Sequence, residues 1–229
     1  MQTNNILVLS GYALDDFERV FQDAAINKKF IITSKSHIKE EKLIKLKEYF
    51  DEVIVLDNYY RSSQVELSAL NVFKVYGFSK IVTPATNEFD LLRAARLRGY
   101  LGLEGQNLNS AMAFRDKFLM KTIISQAGIK TPNFDKVDNV IDLLDFVNKH
   151  GYPIIVKPRR GVASINTHII HSYQHLEHLF NTESLFYDNV PMLVETYVLG
   201  KMFHVDGIVK DGEVIAWGSE YIGTAMNMI

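Results

Sequence analysis

Short runs of apolar, largely β-branched residues alternate with longer amphipathic stretches through the first hundred residues of the chain. Runs that are apolar at almost every position are typical of strands covered on both faces of a sheet. Helices between successive strands imply right-handed crossovers and a parallel sheet. The sequence therefore predicts an α/β domain with strands at Ile6–Leu9, Phe30–Thr33, Val53–Leu56 and Lys80–Thr83, and helices at about 15–25, 39–50, 62–76 and 87–98.

The second half follows a different pattern, which begins after Gly99, Gly102 and Gly105 interrupt the alternation. Glycines at 128 and 151 directly follow two helical stretches, as they commonly do at helix ends. Later strands are predicted to be antiparallel, because a tight turn at 210–212 joins two of them. The predicted helices lie at about 113–126, 138–150 and 173–180, and the predicted strands at 153–157, 166–170, 192–195, 203–209 and 213–218.

Composition excludes several classes of protein. The chain has 229 residues, no cysteine and a formal net charge of −2, so disulfides, thiolate metal sites and cysteine nucleophiles are absent. Neither half has an excess of basic residues, which argues against nucleic acid or an anionic membrane as the main partner. No apolar run reaches the roughly 20 residues of a bilayer span, and the first residues lack the pattern of a secretion signal. We therefore expect a cytoplasmic protein.

The segment IIVKPRRGVASINTHII contains the most informative polar residues of the chain. A strand ends at Lys157, and Arg159–Ser164 form a turn around Gly161. Glycine lets the backbone approach a ligand, exposed N–H groups can hold anionic oxygens, and a nearby lysine suits phosphate. A cationic hairpin tip kept in water explains the same residues equally well. The phosphate-binding patterns GxxxxGK[ST] and GxGxxG are both missing, and the second absence weakens a Rossmann-type interpretation.

Other polar residues are ambiguous when they are considered singly. Lys117 on a helix has the ordinary explanation of a solvated charge, and Glu195 ends an otherwise apolar strand that could lie at a sheet edge. His204 and Asp206 share one face of a strand, for which solvent is the default explanation. A cluster of four histidines is interpreted as a solvated helix face rather than a metal site, because further ligands are not evident; its members are His168, His171, His175 and His178.

Taken in order, these features resemble the ATP-grasp superfamily, which uses ATP to activate a carboxylate as an acyl phosphate for attack by an amine or another nucleophile. The matching stretch begins with RDKFLMK and continues through AGIKTP and GYPIIVKPRRGVAS to LVETYVLG and HVDG. Each motif is weak alone, but five in sequence make a specific signal. The alternating region before them resembles the domain that precedes ATP-grasp in these ligases.

The resemblance implies roles for individual residues. Lys117 and Lys157 would face the phosphates of ATP, and the loop containing Arg159, Gly161 and Ser164 would fold over them. The three remaining groups of residues would bind the nucleoside: Glu195 would face the adenine amine, the backbone of Tyr197 and Val198 would bond the adenine edge, and His204 and Asp206 would lie near the ribose. ATP and Mg²⁺ are the implied cofactors, a small carboxylate and an amine are the implied substrates, and dimers are common among relatives.

The resemblance also predicts the fold class and the domains. We expect an α/β protein with a Rossmann-like parallel-sheet pre-ATP-grasp domain at 1–108, followed by a partial α+β ATP-grasp domain. Its smaller lid subdomain would span 109–184, and the larger subdomain would begin at 185–229.

Two departures from the family pattern affect the expected function. Met202 stands where many members have a ribose-binding glutamate, which leaves that contact open. The family's metal-binding carboxylates lie some 50 or more residues beyond the segment that corresponds to LVETYVLG. No metal ligand can therefore be named here, and we expect a chain truncated before these carboxylates. The alternative function is a non-catalytic nucleotide-binding or scaffold fragment without turnover.

Overall fold

The structure is a computed structural model that describes residues 4–12, 14, 16–22, 25–84, 88–183, 185–186, 189–201, 203–210 and 212–220. The chain divides into two compact units, Met1–Phe114 and Arg115–Ile229. Among the described residues, no helix combines the length and the hydropathy that crossing a bilayer requires.

The first unit contains a four-stranded parallel sheet in the order β3-β2-β1-β4, as the alternating pattern predicts. Continuous apolar strands arise because both faces of this sheet are covered: Leu7 and Leu9 belong to one buried cluster, and Ile6 and Val8 to another. Its elements are β1 (Ile6–Ser10), α1 (Phe17–Val20), β2 (Lys29–Ser34), α2 (Glu40–Tyr49), β3 (Glu52–Leu56), α3 (Gln64–Tyr76), β4 (Lys80–Val82), α4 (Asp90–Leu101) and α5 (Leu108–Arg115).

The first helix is much shorter than predicted. The described part of α1 is the single turn Phe17–Val20, whereas the prediction extended over about 15–25; residues 15, 23 and 24 lie outside the described residues. Phe17 and Phe21 are both buried in the same cluster. Since these two aromatic residues lie one turn apart, a single turn is enough to bury both.

The second unit contains a four-stranded antiparallel sheet in the order β5-β8-β6-β7. A separate two-stranded antiparallel sheet pairs β9 with β10 around the predicted hairpin turn. The elements are α6 (Lys117–Gln126), β5 (Phe134–Val137), α7 (Val140–His150), β6 (Ile154–Pro158), β7 (His168–Ile170), α8 (Tyr173–Thr182), β8 (Met192–Thr196), β9 (Phe203–Lys210) and β10 (Glu213–Glu220).

The two faces of the four-stranded sheet differ in character. Ile154, Val156 and Ile170 point to one face, where they share a buried cluster with Leu143 of α7 and Leu176 of α8. Alternation along a strand places the intervening residues on the opposite face. That face contains Ile155, Lys157, Ile169 and Glu195, because Ile155 is paired with both Ile169 and Glu195. Hydrophobic packing therefore uses one face of the sheet and leaves polar groups on the other.

Two features of this unit differ from the sequence prediction. The predicted helix at 113–126 is interrupted at Asp116, which has extended backbone angles and caps α6. Strand β5 was not predicted, because its two central residues, Asp135 and Lys136, are polar and exposed. Strand β8 pairs with both β5 and β6 in this sheet. The domain limits themselves stay predictions.

Candidate functional site

A cavity of about 710 Å³ lies within the second unit, on the polar face of its sheet. Seven of the residues predicted to bind ATP contribute to its lining, although they come from well-separated parts of the chain. Apolar side chains of Ile155 and Ile169 line it as well. The seven are Lys117, Lys157, Gly161, Ser164, Glu195, Tyr197 and Val198.

Two neighbouring strands position an ion pair in this cavity. Ile155 of β6 is paired with Glu195 of β8, and Lys157 lies two residues further along β6 on the same face. The Lys157 ammonium donates a short hydrogen bond to Oε1 of Glu195. The sheet register therefore brings together two residues that are 38 positions apart in the sequence.

Glu195 is also contacted by a lysine that the sequence analysis did not single out. Nζ of Lys121 lies 2.9 Å from Oε2 of Glu195, so each carboxylate oxygen has its own ammonium group. Glu195 is only 5% exposed. Burial raises the pKa of its carboxyl, but the charges and hydrogen bonds of Lys157 and Lys121 outweigh this effect and hold the pKa below its ordinary value. The sequence offered one indication of this contact: Lys121 lies four residues after Lys117, which is one turn of the same helix.

Lys117 is held at the base of the glycine-containing loop. Its backbone N–H donates to the carbonyl oxygen of Arg159 over 2.9 Å, and its ammonium donates to the carbonyl oxygen of Gly161 over 2.6 Å. A Cβ atom at Gly161 would lie 3.2 Å from Cβ of Pro158. The first helical residue of α6 and the loop are therefore joined through both backbone and side chain.

Arg159 lies against Asp116 rather than among the residues that line the cavity. Its Nε and Nη2 atoms donate to the two carboxylate oxygens of Asp116 over 3.0 and 2.6 Å. The same carboxylate accepts the backbone N–H groups of Phe118 and Leu119 at the start of α6. Burial raises the pKa of Asp116, but these hydrogen bonds and the Arg159 charge lower it below its ordinary value. Arg159 thus anchors the loop, and its role at a phosphate stays a prediction.

The backbone of the loop folds into two successive turns. The N–H of Ile165 donates to the carbonyl oxygen of Val162, and that of Thr167 donates to the carbonyl oxygen of Ser164. Three residues other than glycine have positive φ angles: Ala163, Ser164 and Asn166, at 50°, 56° and 55°. Such angles are unfavourable for residues with a Cβ atom, least so for asparagine, and a run of them is often associated with a functional loop.

The two residues predicted to bond the adenine edge, Tyr197 and Val198, follow β8 directly. The N–H of Tyr197 donates to the carbonyl oxygen of Pro153 over 3.0 Å, so a base contact from this residue would use its carbonyl oxygen. Val198 is largely exposed and lines the cavity. His204 and Asp206 lie on β9, opposite Ser219 and Trp217 of β10. Their side chains lie outside the described residues, so their roles at the ribose stay predictions.

Three of the four clustered histidines also line the cavity. His168 precedes α8, and Nε2 of His168 lies 3.4 Å from a carboxylate oxygen of Glu183. His175 and His178 are on α8, and the ring of His175 stacks on that of His171. Within the described part of the chain, no three histidine or carboxylate side chains are placed to hold a metal ion. The cavity therefore presents the ammonium groups of Lys117 and Lys157, which suit an anionic ligand, beside the apolar side chains of Ile155 and Ile169.

Curated relatives of this chain are ligases, whereas comparison with models of protein families finds no match. An L-arginine-specific L-amino acid ligase of Bacillus subtilis is 34% identical over 169 residues, which are 72% of this chain and 40% of that protein. A D-alanine–D-alanine ligase A of Bacillus cereus is 30% identical over 97 residues, which are 42% of this chain and 32% of that protein. The chain thus spans less than half the length of these relatives.

Solved structures share the fold at low sequence identity. An L-amino acid ligase from Bacillus licheniformis matches 94% of this chain and 50% of its own, with a TM-score of 0.69 and 17% identity. An N5-carboxyaminoimidazole synthetase from Staphylococcus aureus, complexed with ADP, matches 97% of this chain and 56% of its own, with a TM-score of 0.70 and 17% identity. Both therefore contain the arrangement of helices and strands described above.

Proposed function

The chain belongs to the ATP-grasp superfamily, and we propose that it is the ATP-binding part of a ligase that activates a carboxylate as an acyl phosphate for attack by an amine. One observation carries this proposal: Lys117, Lys157 and Gly161 line a single cavity of about 710 Å³, together with Glu195. The curated relatives, which are amino acid ligases, favour this function over a scaffold fragment without turnover.

The phosphates of the nucleotide would bind in the part of the cavity that Lys117, Lys157 and Gly161 line. Lys117 and Lys157 are now paired with a carbonyl and a carboxylate oxygen, respectively. A triphosphate offers oxygens of higher negative charge, and lysine suits it as a mobile point charge. The adenine would lie beside Ile155 and Ile169, near the polar backbone that follows β8. The pocket thus has an apolar part for a base and a cationic part for phosphates.

ATP would supply the phosphoryl group that makes the carboxylate reactive, and this chain's residues would position it and keep water away. Phosphoryl transfer depends on positioning and charge stabilisation more than on covalent help from protein. The loop at 161–167 would cover the phosphates, because an acyl phosphate must be shielded from water.

Magnesium belongs to the proposed reaction, but the described residues do not provide a complete site for it. Mg²⁺ binds through carboxylate oxygens in addition to phosphates. Within the ranges that the structure describes, no group of three histidine or carboxylate side chains could hold a metal ion. None of the described residues is therefore proposed as a metal ligand.

The identities of the substrates are proposed only by class, as a small carboxylate and an amine. L-Arginine specificity and D-alanine coupling belong to the relatives whose names state them. A homodimer and a cytoplasmic location also stay predictions.

Calorimetric titration with ADP tests the nucleotide site. We expect wild-type protein to bind ADP and Lys157→Ala to bind it about ten- to a hundredfold more weakly, because a charge-assisted hydrogen bond to phosphate is lost. Equal binding by both proteins, or no binding by wild type with or without Mg²⁺, would contradict the proposal. Release of phosphate from ATP in the presence of mixed amino acids would then separate a ligase from a scaffold fragment.

A further inference from the structure

Glu195 lies between two lysines that differ in their relation to the cavity. Lys157 belongs to the neighbouring strand β6 and lines the cavity. Lys121 belongs to α6 and is not among the lining residues, although its Nζ lies 2.9 Å from Oε2 of Glu195. One lysine therefore faces the ligand space, and the other contacts the same carboxylate from outside it.

Under the proposed function, Lys157 would exchange one bonding partner for another when the nucleotide binds. In the structure its ammonium is bonded to Oε1 of Glu195, and in the nucleotide complex it would bond a phosphate. A buried carboxylate that loses its nearest positive charge tends to bind a proton, because burial disfavours the charged form. Glu195 would then become a neutral acid, unless a second cation stays beside it.

We propose that Lys121 is a positioning residue that keeps Glu195 ionised and oriented when Lys157 turns to the phosphates. This inference rests on the proposed function and concerns the last residue of RDKFLMK, to which the resemblance assigned no role and which does not line the cavity. The contacts of Lys121 support it, because they involve strand residues rather than the loop: Nζ lies 6.0 Å from the ring centre of Phe134, and Phe134 is the direct cross-strand partner of Glu195.

The charged groups around Glu195 determine whether its carboxyl binds a proton when the nucleotide binds. Lys157 from β6 and Lys121 from α6 face the carboxylate. Strand β5 places Phe134 opposite Glu195 and Lys136 two residues further along on the same face, with Nζ of Lys136 over the ring of Phe118. Lys117 and His168 line the same cavity. Burial raises the pKa of Glu195, and the two lysines together lower it below its ordinary value. Without Lys121, departure of Lys157 would leave burial unopposed, and ADP binding would be accompanied by proton uptake.

Calorimetry with ADP in two buffers of different ionisation enthalpy measures this uptake. Relative to wild type, we expect Lys121→Met to bind ADP about tenfold more weakly at neutral pH and to take up close to one additional proton, as a single newly protonated carboxyl requires. Lys121→Arg should restore the wild-type proton count. Lys121→Met/Glu195→Gln should lose the additional uptake, because the titrating carboxyl is gone. Lys149→Met, an exposed lysine of α7, is the matched control and should behave as wild type.

The outcomes separate this inference from the proposed function. ADP binding by wild type with an unchanged proton count and affinity in Lys121→Met would overturn the role of Lys121 and leave the nucleotide site standing. Additional uptake that persists in the double variant would also overturn it, because the proton would belong to another group. Absence of ADP binding by wild type would remove the proposed function and this inference together. If Lys121→Met fails to fold, Lys121→Gln provides the same comparison with a polar side chain.

Discussion

The ammonium group of Lys117 donates a hydrogen bond to the carbonyl oxygen of Gly161 over 2.6 Å, although the two residues are 44 positions apart. This bond joins the start of α6 to the loop that precedes β7. The loop therefore has a fixed base beside a cationic residue that lines the cavity.

Replacement of Lys117 should loosen this loop and weaken nucleotide binding. We expect Lys117→Met to lower ADP affinity about ten- to a hundredfold, since it removes a charge-assisted contact. The freed loop should also be cut more rapidly by trypsin after Arg160. Titration calorimetry and timed proteolysis measure the two effects, with Lys130→Met as an exposed control in the same unit. Unchanged affinity and cleavage in Lys117→Met would contradict this prediction.

Asp116 is expected to be a major stabilising residue of the second unit. Asp116→Ala removes the cap of α6 and leaves Arg159 without its carboxylate, so we expect the free energy of unfolding to fall by about 2–4 kcal/mol. Asn139 caps α7 through the same two backbone contacts but has no such ion pair, and Asn139→Ala should cost only about 1 kcal/mol. Urea denaturation compares them, and equal losses would show that the Arg159 pair contributes nothing.

Acid should destabilise the protein partly through Glu195. Because the folded state lowers the pKa of this carboxyl from its ordinary value of 4.5, the unfolded state binds protons first as the pH falls. The contribution of Glu195 is therefore complete above the unfolded pKa and is lost as the pH falls through the folded pKa. We expect Glu195→Gln to be less stable at pH 7 and to show a shallower loss of stability below about pH 4.5. Parallel pH profiles from chemical denaturation would contradict this expectation.

Two glycines of the first unit should respond to alanine in opposite directions. A Cβ atom at Gly11 would lie 2.6 Å from the hydroxyl of Tyr60, so Gly11→Ala should destabilise the unit by about 1–3 kcal/mol. Gly99 lies within α4 with no atom near its Cβ position, and Gly99→Ala should stabilise by about 0.5–1 kcal/mol. Thermal unfolding of both variants measures the difference, and a shift of the same sign in both would refute the assignment.

The sequence predicted those parts of the fold that depend on hydrophobic pattern. The parallel strands and most helices of the first unit have the strong periodicity that burial imposes, and the structure confirms them. Strand β5 was missed because Asp135 and Lys136 face solvent, so it has no apolar alternation to detect. The interruption of the long predicted helix at Asp116 depends on a tertiary partner, Arg159, which is distant in the sequence.

The candidate site was predictable as a set of residues but not as a network of bonds. Motif order brought Lys117, Lys157 and Glu195 together, and all three line one cavity. The contact of Lys121 with Glu195 depends on how α6 lies over the sheet, which local patterns do not report. For the same reason, the sequence alone did not show that Arg159 is bonded to Asp116.

In the four-stranded sheet of the second unit, single strands contribute both to the hydrophobic core and to the cavity, through opposite faces. Along β6, alternate residues have different functions. Ile154 and Val156 pack against the helices, whereas Ile155 and Lys157 line the cavity. An engineer could thus adjust heat resistance by repacking one side while the ligand chemistry of the other stays constant. For the same reason, residues on the packing face and residues on the cavity face can change independently in natural variants.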